Sequence, residues 1–162
     1  MKIIVTGCAG FIGSHLCENL LKRGDKILGI DIINDYYNVK KKEKNLEILR
    51  KYKNFEFRKE DICDTKSISN WKPDKICHLA SMAGVRYSLQ NPKLYVKVNI
   101  EGFVHILQEC LLAGSVKQIV YASSSSVYGL NKKIPFCEED KIEKCNSPYA
   151  VSKLCNESYA KM

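Results

Sequence analysis

The sequence predicts an α/β fold, a parallel sheet with helices on both faces, and three observations carry this. Short β-branched apolar runs alternate with stretches of helical length along all 162 residues. The first run opens directly into a glycine loop. Two cap-then-proline pairs, Asn91-Pro92 and Ser147-Pro148, mark helix starts further on. Strands alternating with helices pair in parallel, and their crossovers should be right-handed.

The elements follow in order. Lys2–Thr6 is an apolar run that reads as a buried strand. Phe11–Lys22 places Phe11, Ile12, His15, Leu16, Asn19 and Leu20 at helical spacing, and Gly24 sits where a C-capping glycine belongs. Lys26–Ile30 is a second strand that ends at Asp31. Residues 38–51 read as a polar helix and 55–59 as a third strand. Residues 65–71 form a short helix stopped before Pro73, and 75–80 a fourth strand. A long helix opens at Asn91-Pro92 and runs to about Leu112, with Gly114 beyond it. Residues 118–123 are a fifth strand, and Ser147-Pro148 opens a last helix through Met162. No repeat or linker interrupts the pattern, so one domain over 1–162 is expected.

Composition narrows the class. The chain is 45% hydrophobic and 27% charged, ordinary for a soluble globular protein. No apolar run approaches the roughly 20 residues of a membrane span. The N-terminal apolar run leads into glycines rather than a cleavage site, so a cytoplasmic protein is expected. Eight cysteines show no Cys-x-x-Cys spacing and make no zinc pattern with His15, His78 or His105. Reduced, mostly buried thiols are expected, and no metal. Much of the +8 charge lies between Lys40 and Lys59. Glu43, Glu47 and Glu56 break this run, which reads as a solvated helix face rather than a nucleic-acid surface.

The glycine loop carries chemistry. Thr6-Gly7-Cys8-Ala9-Gly10-Phe11-Ile12-Gly13 joins the first strand to the first helix. Gly7 permits the tight turn, Gly10 the close approach of a pyrophosphate, and Gly13 the packing of helix on strand. Phosphates would lie at the helix N-terminus, against the backbone of Gly10, Phe11, Ile12 and Gly13. The spacing is Gly-x-x-Gly-x-x-Gly rather than Gly-x-Gly-x-x-Gly. Asp31 follows at the distance where a carboxylate binds both ribose hydroxyls of a dinucleotide. It would repel a 2′-phosphate, which favours NAD over NADP. A Rossmann-type, doubly wound sheet is therefore expected.

Tyr149 and Lys153 stand four apart and share one helix face. A free tyrosine, with a pKa of about 10, is a poor base at neutral pH. A neighbouring ammonium and the positive nicotinamide ring would stabilise its phenolate, making Tyr149 a general base and acid. Ser123-Ser124-Ser125-Ser126-Val127-Tyr128-Gly129 follows the fifth strand, at the end of the sheet where ligands bind, and offers four hydroxyls to a polar substrate.

Together these residues resemble the extended short-chain dehydrogenases, the nucleotide-sugar epimerase and dehydratase family. The resemblance spans the chain. It includes Asp61-Ile62 after the third strand, His78-Leu79-Ala80-Ser81-Met82-Ala83 after the fourth, and Val98-Asn99 in the long helix. It implies an adenine contact at Asp61 and Ile62, further cofactor contacts at Ala80, Ala83, Asn99, Tyr149 and Lys153, and a catalytic set of Ser124, Tyr149 and Lys153. Dehydratases of this family carry Asp-Glu before Val-Tyr-Gly, where Ser125 and Ser126 stand here. Two stretches look like UDP-glucuronate 4-epimerases, Asp31-Ile32-Ile33-Asn34-Asp35-Tyr36-Tyr37 and the run from Ala83 to Pro92. Arg86 in the second contacts phosphate, orients the sugar, or is a surface arginine. Ser124, Ser125 and Ser126 would suit a sugar carboxylate, since hydroxyls bind it without quenching it.

The resemblance implies a UDP-sugar substrate, UDP-glucuronate/UDP-galacturonate or UDP-glucose/UDP-galactose, and transient oxidation at C4. It also implies a homodimer through the long helix and the Tyr-Lys helix. Family members continue past residue 162, so the last strands and a C-terminal substrate lobe are expected to be absent. A non-catalytic NAD-binding remnant or interaction protein is one alternative, and a dehydratase or reductase of the same family another.

Overall fold

The structure, a computed structural model, describes residues 1–140, 142 and 144–162. The chain divides into two compact units. The first comprises Met1–Ala80 and His105–Ala122, the second Ser81–Val104 and Ser123–Met162.

The first unit holds the sheet. Strands β1 (Lys2–Thr6), β2 (Lys26–Ile30), β3 (Phe55–Arg58), β4 (Lys75–His78) and β5 (Gln118–Tyr121) pair in the order β3-β2-β1-β4-β5. Every pairing is parallel, with Ile4 opposite Leu28 on one side and Ile76 on the other. This is the Rossmann-type α/β sheet that the alternating pattern predicts. The strand order reverses between β1 and β4, which places a switch point at their carboxyl ends.

Alternation along β1 explains the core. Ile3 and Val5 join Cys17, Leu20, Ile27 and Leu46 in a cluster under helices α1 (Phe11–Lys22) and α2 (Val39–Leu49). Ile4, between them, is also wholly buried and turns to the opposite face. Fully burying one such side chain stabilises the fold by about 1.5–3 kcal/mol. Helix α3 (Ser67–Trp71) ends before Pro73. Among the described residues no helix is long and apolar enough to cross a membrane.

Beyond the sheet, the structure differs in detail from the sequence expectation. A short helix α4 (Val85–Gln90) precedes the long one. The long helix does open at Pro92, but its second stretch is π-helical. It runs as α5 (Pro92–Tyr95), a π-helical segment Val96–Glu101, and α6 (Gly102–Ala113). The serine run forms a 3₁₀ turn, Ser125–Tyr128. Helix α7 (Pro148–Lys161) starts at Ser147, whose side chain accepts from the Ala150 amide. All eight cysteines are free. Only Cys8 and Cys17 are fully buried, which corrects the expectation of mostly buried thiols. The other six are half-buried.

Candidate active site

The first unit supplies a candidate dinucleotide cradle at the ends of β1, β2 and β4. Gly7 has φ +70, and a Cβ there would meet the Ala80 amide nitrogen at 2.8 Å. At Gly13 a Cβ would run into the Gly7 carbonyl oxygen, so helix and loop approach as closely as backbone allows. Gly10 caps α1 without a side-chain oxygen, and the first turn contains no acid. The opening amides of α1 are thus left for an anion, beside the exposed Phe11 and Ile12. Thr6 braces the cradle. Its hydroxyl lies 2.9 Å from His78 Nδ1 and accepts from the amides of Leu79 and Ala80.

Asp31 is buried at the end of β2. Its Oδ2 accepts from the Ala9 amide at 3.2 Å and its Oδ1 from the Ile33 amide at 2.8 Å. Each carboxylate oxygen keeps one further lone pair, enough for the two hydroxyls of a ribose. Ile33 has φ 55, a left-handed conformation that costs a side-chain-bearing residue roughly 1–2 kcal/mol. A β-branched residue held there signals a constrained site.

Lys42 corrects the reading of a uniformly solvated basic face. Its side chain is 9% exposed, its Nζ donates to Asn34 Oδ1 at 2.7 Å, and it lies 3.7 Å from Asp31 Oδ1. The signal was present in the sequence. The buried residues of α2 are Lys42, Leu46 and Leu49, at helical spacing, so the apolar stripe projects back onto Lys42. Beyond β3, Asp61 Oδ1 accepts from the Cys63 amide, and Ile62 is buried beside it.

The second unit carries the hydroxyls and the Tyr-Lys helix. Ser124 caps the 3₁₀ turn, its Oγ accepting from the Ser126 amide at 3.2 Å and keeping its own proton to donate. Ser125 is exposed and Ser126 half-buried. Ser123, the first of the four expected hydroxyls, has a protein partner. It donates to the Glu157 carboxylate on α7. Tyr149 is half-buried in the first turn of α7, with Lys153 buried four residues on. Burial pulls the Lys153 ammonium down to about 8, so it is still mostly protonated at neutral pH. The Tyr149 ring meets Tyr95 edge-on, centroids 6.1 Å apart. Tyr95 is wholly buried and its hydroxyl donates to the carbonyls of Ala83 and Gly84. Nothing in the sequence singled out Tyr95.

Asn99 lies in the π-helical segment. Its Oδ1 accepts from the Met82 amide, and its Nδ2 donates to the Met82 carbonyl and to Ser152 Oγ. Both amide hydrogens are taken, so only an oxygen lone pair is left for a cofactor. The geometry makes Asn99 chiefly a positioning residue. Arg86 is exposed on α4.

The GDP-mannose 4,6 dehydratase family matches residues 4–162. Protein CapI of Staphylococcus aureus is 45% identical over 99% of this chain and 48% of its own. UDP-glucuronate 4-epimerase 2 of Arabidopsis thaliana is 42% identical over 99% of this chain and 38% of its own. The chain thus spans about half the length of such relatives or less. Among solved structures, UDP-glucuronic acid 4-epimerase from Bacillus cereus, in complex with UDP-glucuronic acid and NAD, superposes with a TM-score of 0.88 at 37% identity, covering 99% of this chain and 51% of that one. UDP-glucose 4-epimerase of Thermus thermophilus with NAD gives 0.82 at 31%, covering 99% and 50%.

Proposed function

Because the chain belongs to the GDP-mannose 4,6 dehydratase family of NAD-dependent extended short-chain dehydrogenases, we propose that it carries the cofactor-binding and catalytic half of a nucleotide-sugar 4-epimerase, with UDP-glucuronate as substrate. The observation that carries this is the placement on α7 of half-buried Tyr149 four residues before buried Lys153. The likeness to UDP-glucuronate 4-epimerases supports the choice of sugar. Serines at 125 and 126 supply neither the acid nor the base that elimination of water needs.

Gly7, Gly10, Phe11, Ile12 and Gly13 hold the pyrophosphate, and Asp31 the adenosine ribose. Asp61 and Ile62 flank the adenine, while Ala80 and Ala83 border the nicotinamide half. When bound, NAD⁺ supplies a hydride acceptor for C4 of the sugar and a donor for its return. Tyr149, as phenolate, takes the proton of the 4-hydroxyl and later gives it back. Lys153 stabilises that phenolate by its charge. Ser124 donates its free proton to the same oxygen, and Ser125 and Ser126 receive the sugar carboxylate. Arg86 faces the substrate phosphates. The net reaction inverts C4 without net redox change.

Half or more of the length of such curated relatives lies outside these residues, so the substrate lobe is proposed to come from polypeptide beyond them. The same reading includes a homodimer through the long helix and α7, and a cytoplasmic location. Proton NMR of UDP-glucuronate incubated with the chain and NAD⁺ tests it. The galacturonate anomeric signal is the expected product, and an unchanged spectrum in the presence of bound NAD⁺ speaks against a glucuronate epimerase.

A further inference from the structure

We propose that Lys42 is a specificity-determining residue of the dinucleotide site. Held by Asn34 beside Asp31, it contributes a hydrogen bond to the adenosine diol and is a latent anchor for the 2′-phosphate that Asp31 excludes. The inference rests on the NAD-binding character of the family and is independent of which sugar the protein acts on.

A lysine on a polar surface helix ordinarily extends into water, since burying an ammonium without partners is costly. Lys42 does the opposite. It is buried and directed to the end of β2, where Asn34 Oδ1 accepts from it at 2.7 Å. The left-handed Ile33 turns the chain between Asp31 and Asn34, and the Ile33 amide bonds the Asp31 carboxylate. Three independent features thus converge on one spot: a strained turn, a buried cation and a buried carboxylate. The Nζ to Oδ1 separation of 3.7 Å is an ion pair without a tight hydrogen bond. An ammonium has three donors. One is spent on Asn34, and the others stand beside the carboxylate that receives the ribose.

The consequence concerns cofactor choice. Asp31 repels a 2′-phosphate, whereas Lys42, at the same place, attracts one. Net discrimination is the difference of these opposing charges. Removing the carboxylate alone should therefore expose a ready cation, without any new basic residue being introduced.

Isothermal titration calorimetry of the purified chain with NAD⁺ and NADP⁺ decides this. The wild type should prefer NAD⁺. Lys42→Gln should weaken NAD⁺ about tenfold, the value of one charge-assisted hydrogen bond. Asp31→Asn should weaken NAD⁺ and strengthen NADP⁺ about 10- to 100-fold, and the NADP⁺ gain should vanish in Asp31→Asn/Lys42→Gln. Asp31→Ser serves as a second background if the Asn variant misfolds, and Lys42→Arg, which keeps the charge, should retain the gain. NADP⁺ affinity that is indifferent to Lys42 in both backgrounds overturns the proposal. So does a wild-type chain without affinity for NAD⁺. Loss of epimerase activity does not bear on it, because the readout is binding alone.

Discussion

The side-chain amide of Asn156 donates to the backbone carbonyl of Asn99 over 2.7 Å, with both residues buried. This bond fastens α7, which carries Tyr149 and Lys153, to the π-helical segment. A π-helix shifts the backbone ladder from i→i+4 to i→i+5, and such segments collect at functional sites. Here the Asn99 carbonyl is met by a side chain, and the Asn99 side chain ties Met82 and Ser152 into the same network.

Asn156→Ala should therefore destabilise the fold by about 1–3 kcal/mol, because it removes a buried hydrogen bond between α7 and the π-helical segment. Asn99→Ala should cost more, since it strands both the amide and the carbonyl of Met82. The double variant should lose less than the sum, as the two residues share one network. Urea unfolding of the three variants measures this, and simple additivity would dismiss the network.

Lys153 gives a pH signature. Burial lowers its folded-state value to about 8, whereas an unfolded lysine titrates near 10.4. Below pH 8 the folded chain must hold the buried charge, at a cost. Between about pH 8 and 10.4 the unfolded state binds more protons than the folded one, so this group's contribution to stability rises with pH. Lys153→Met should thus be more stable than wild type at pH 7, and the difference should shrink as pH rises through that window. Denaturant midpoints of both proteins at pH 7, 8.5 and 10 check it. A difference that stays constant would mean that Lys153 does not titrate there.

Gly13→Ala tests the cradle. The added Cβ would meet the Gly7 carbonyl, which is backbone and has little room to give. Overpacking costs typically about 1–3 kcal/mol, and the displaced loop should also lose NAD⁺. Thermal unfolding with and without NAD⁺ reads both effects. An Ala variant that binds NAD⁺ as tightly as wild type would mean that the close approach of α1 to the loop is dispensable.

Much of this was legible in the sequence for identifiable reasons. The strands of a parallel sheet are buried on both faces, so β1 and β2 read as plain apolar runs. Ser147-Pro148 announced α7 because cap and proline act locally. The glycine loop was legible because Gly7 and Gly13 answer steric demands that no other residue meets. What escaped depends on tertiary partners. The π-helical segment around Asn99 is set by Met82, Ser152 and Asn156, none of them adjacent to it. Lys42 vanished in a run of lysines, although its helical phase with Leu46 and Leu49 marked it as the inward one. Ser123 looked equivalent to its neighbours until Glu157, 34 residues away, claimed its hydroxyl.

That last distinction yields a graded prediction for the hydroxyl groups. Tyr149→Phe keeps the ring that meets Tyr95 and removes only the hydroxyl, so it should abolish turnover while leaving NAD⁺ affinity within about twofold of wild type. Ser124→Ala removes the hydroxyl proposed to donate to the substrate oxygen and should lower kcat by about 10²- to 10³-fold, the usual scale for one such group. Ser123→Ala should lower it far less, because the hydroxyl it removes serves Glu157. Sugar interconversion followed by NMR, with NAD⁺ affinity measured in parallel, ranks the three. Turnover surviving in Tyr149→Phe would remove Tyr149 as the base. Equal losses at positions 123 and 124 would show that the serine run acts through the shape of the 3₁₀ turn rather than through the Ser124 hydroxyl.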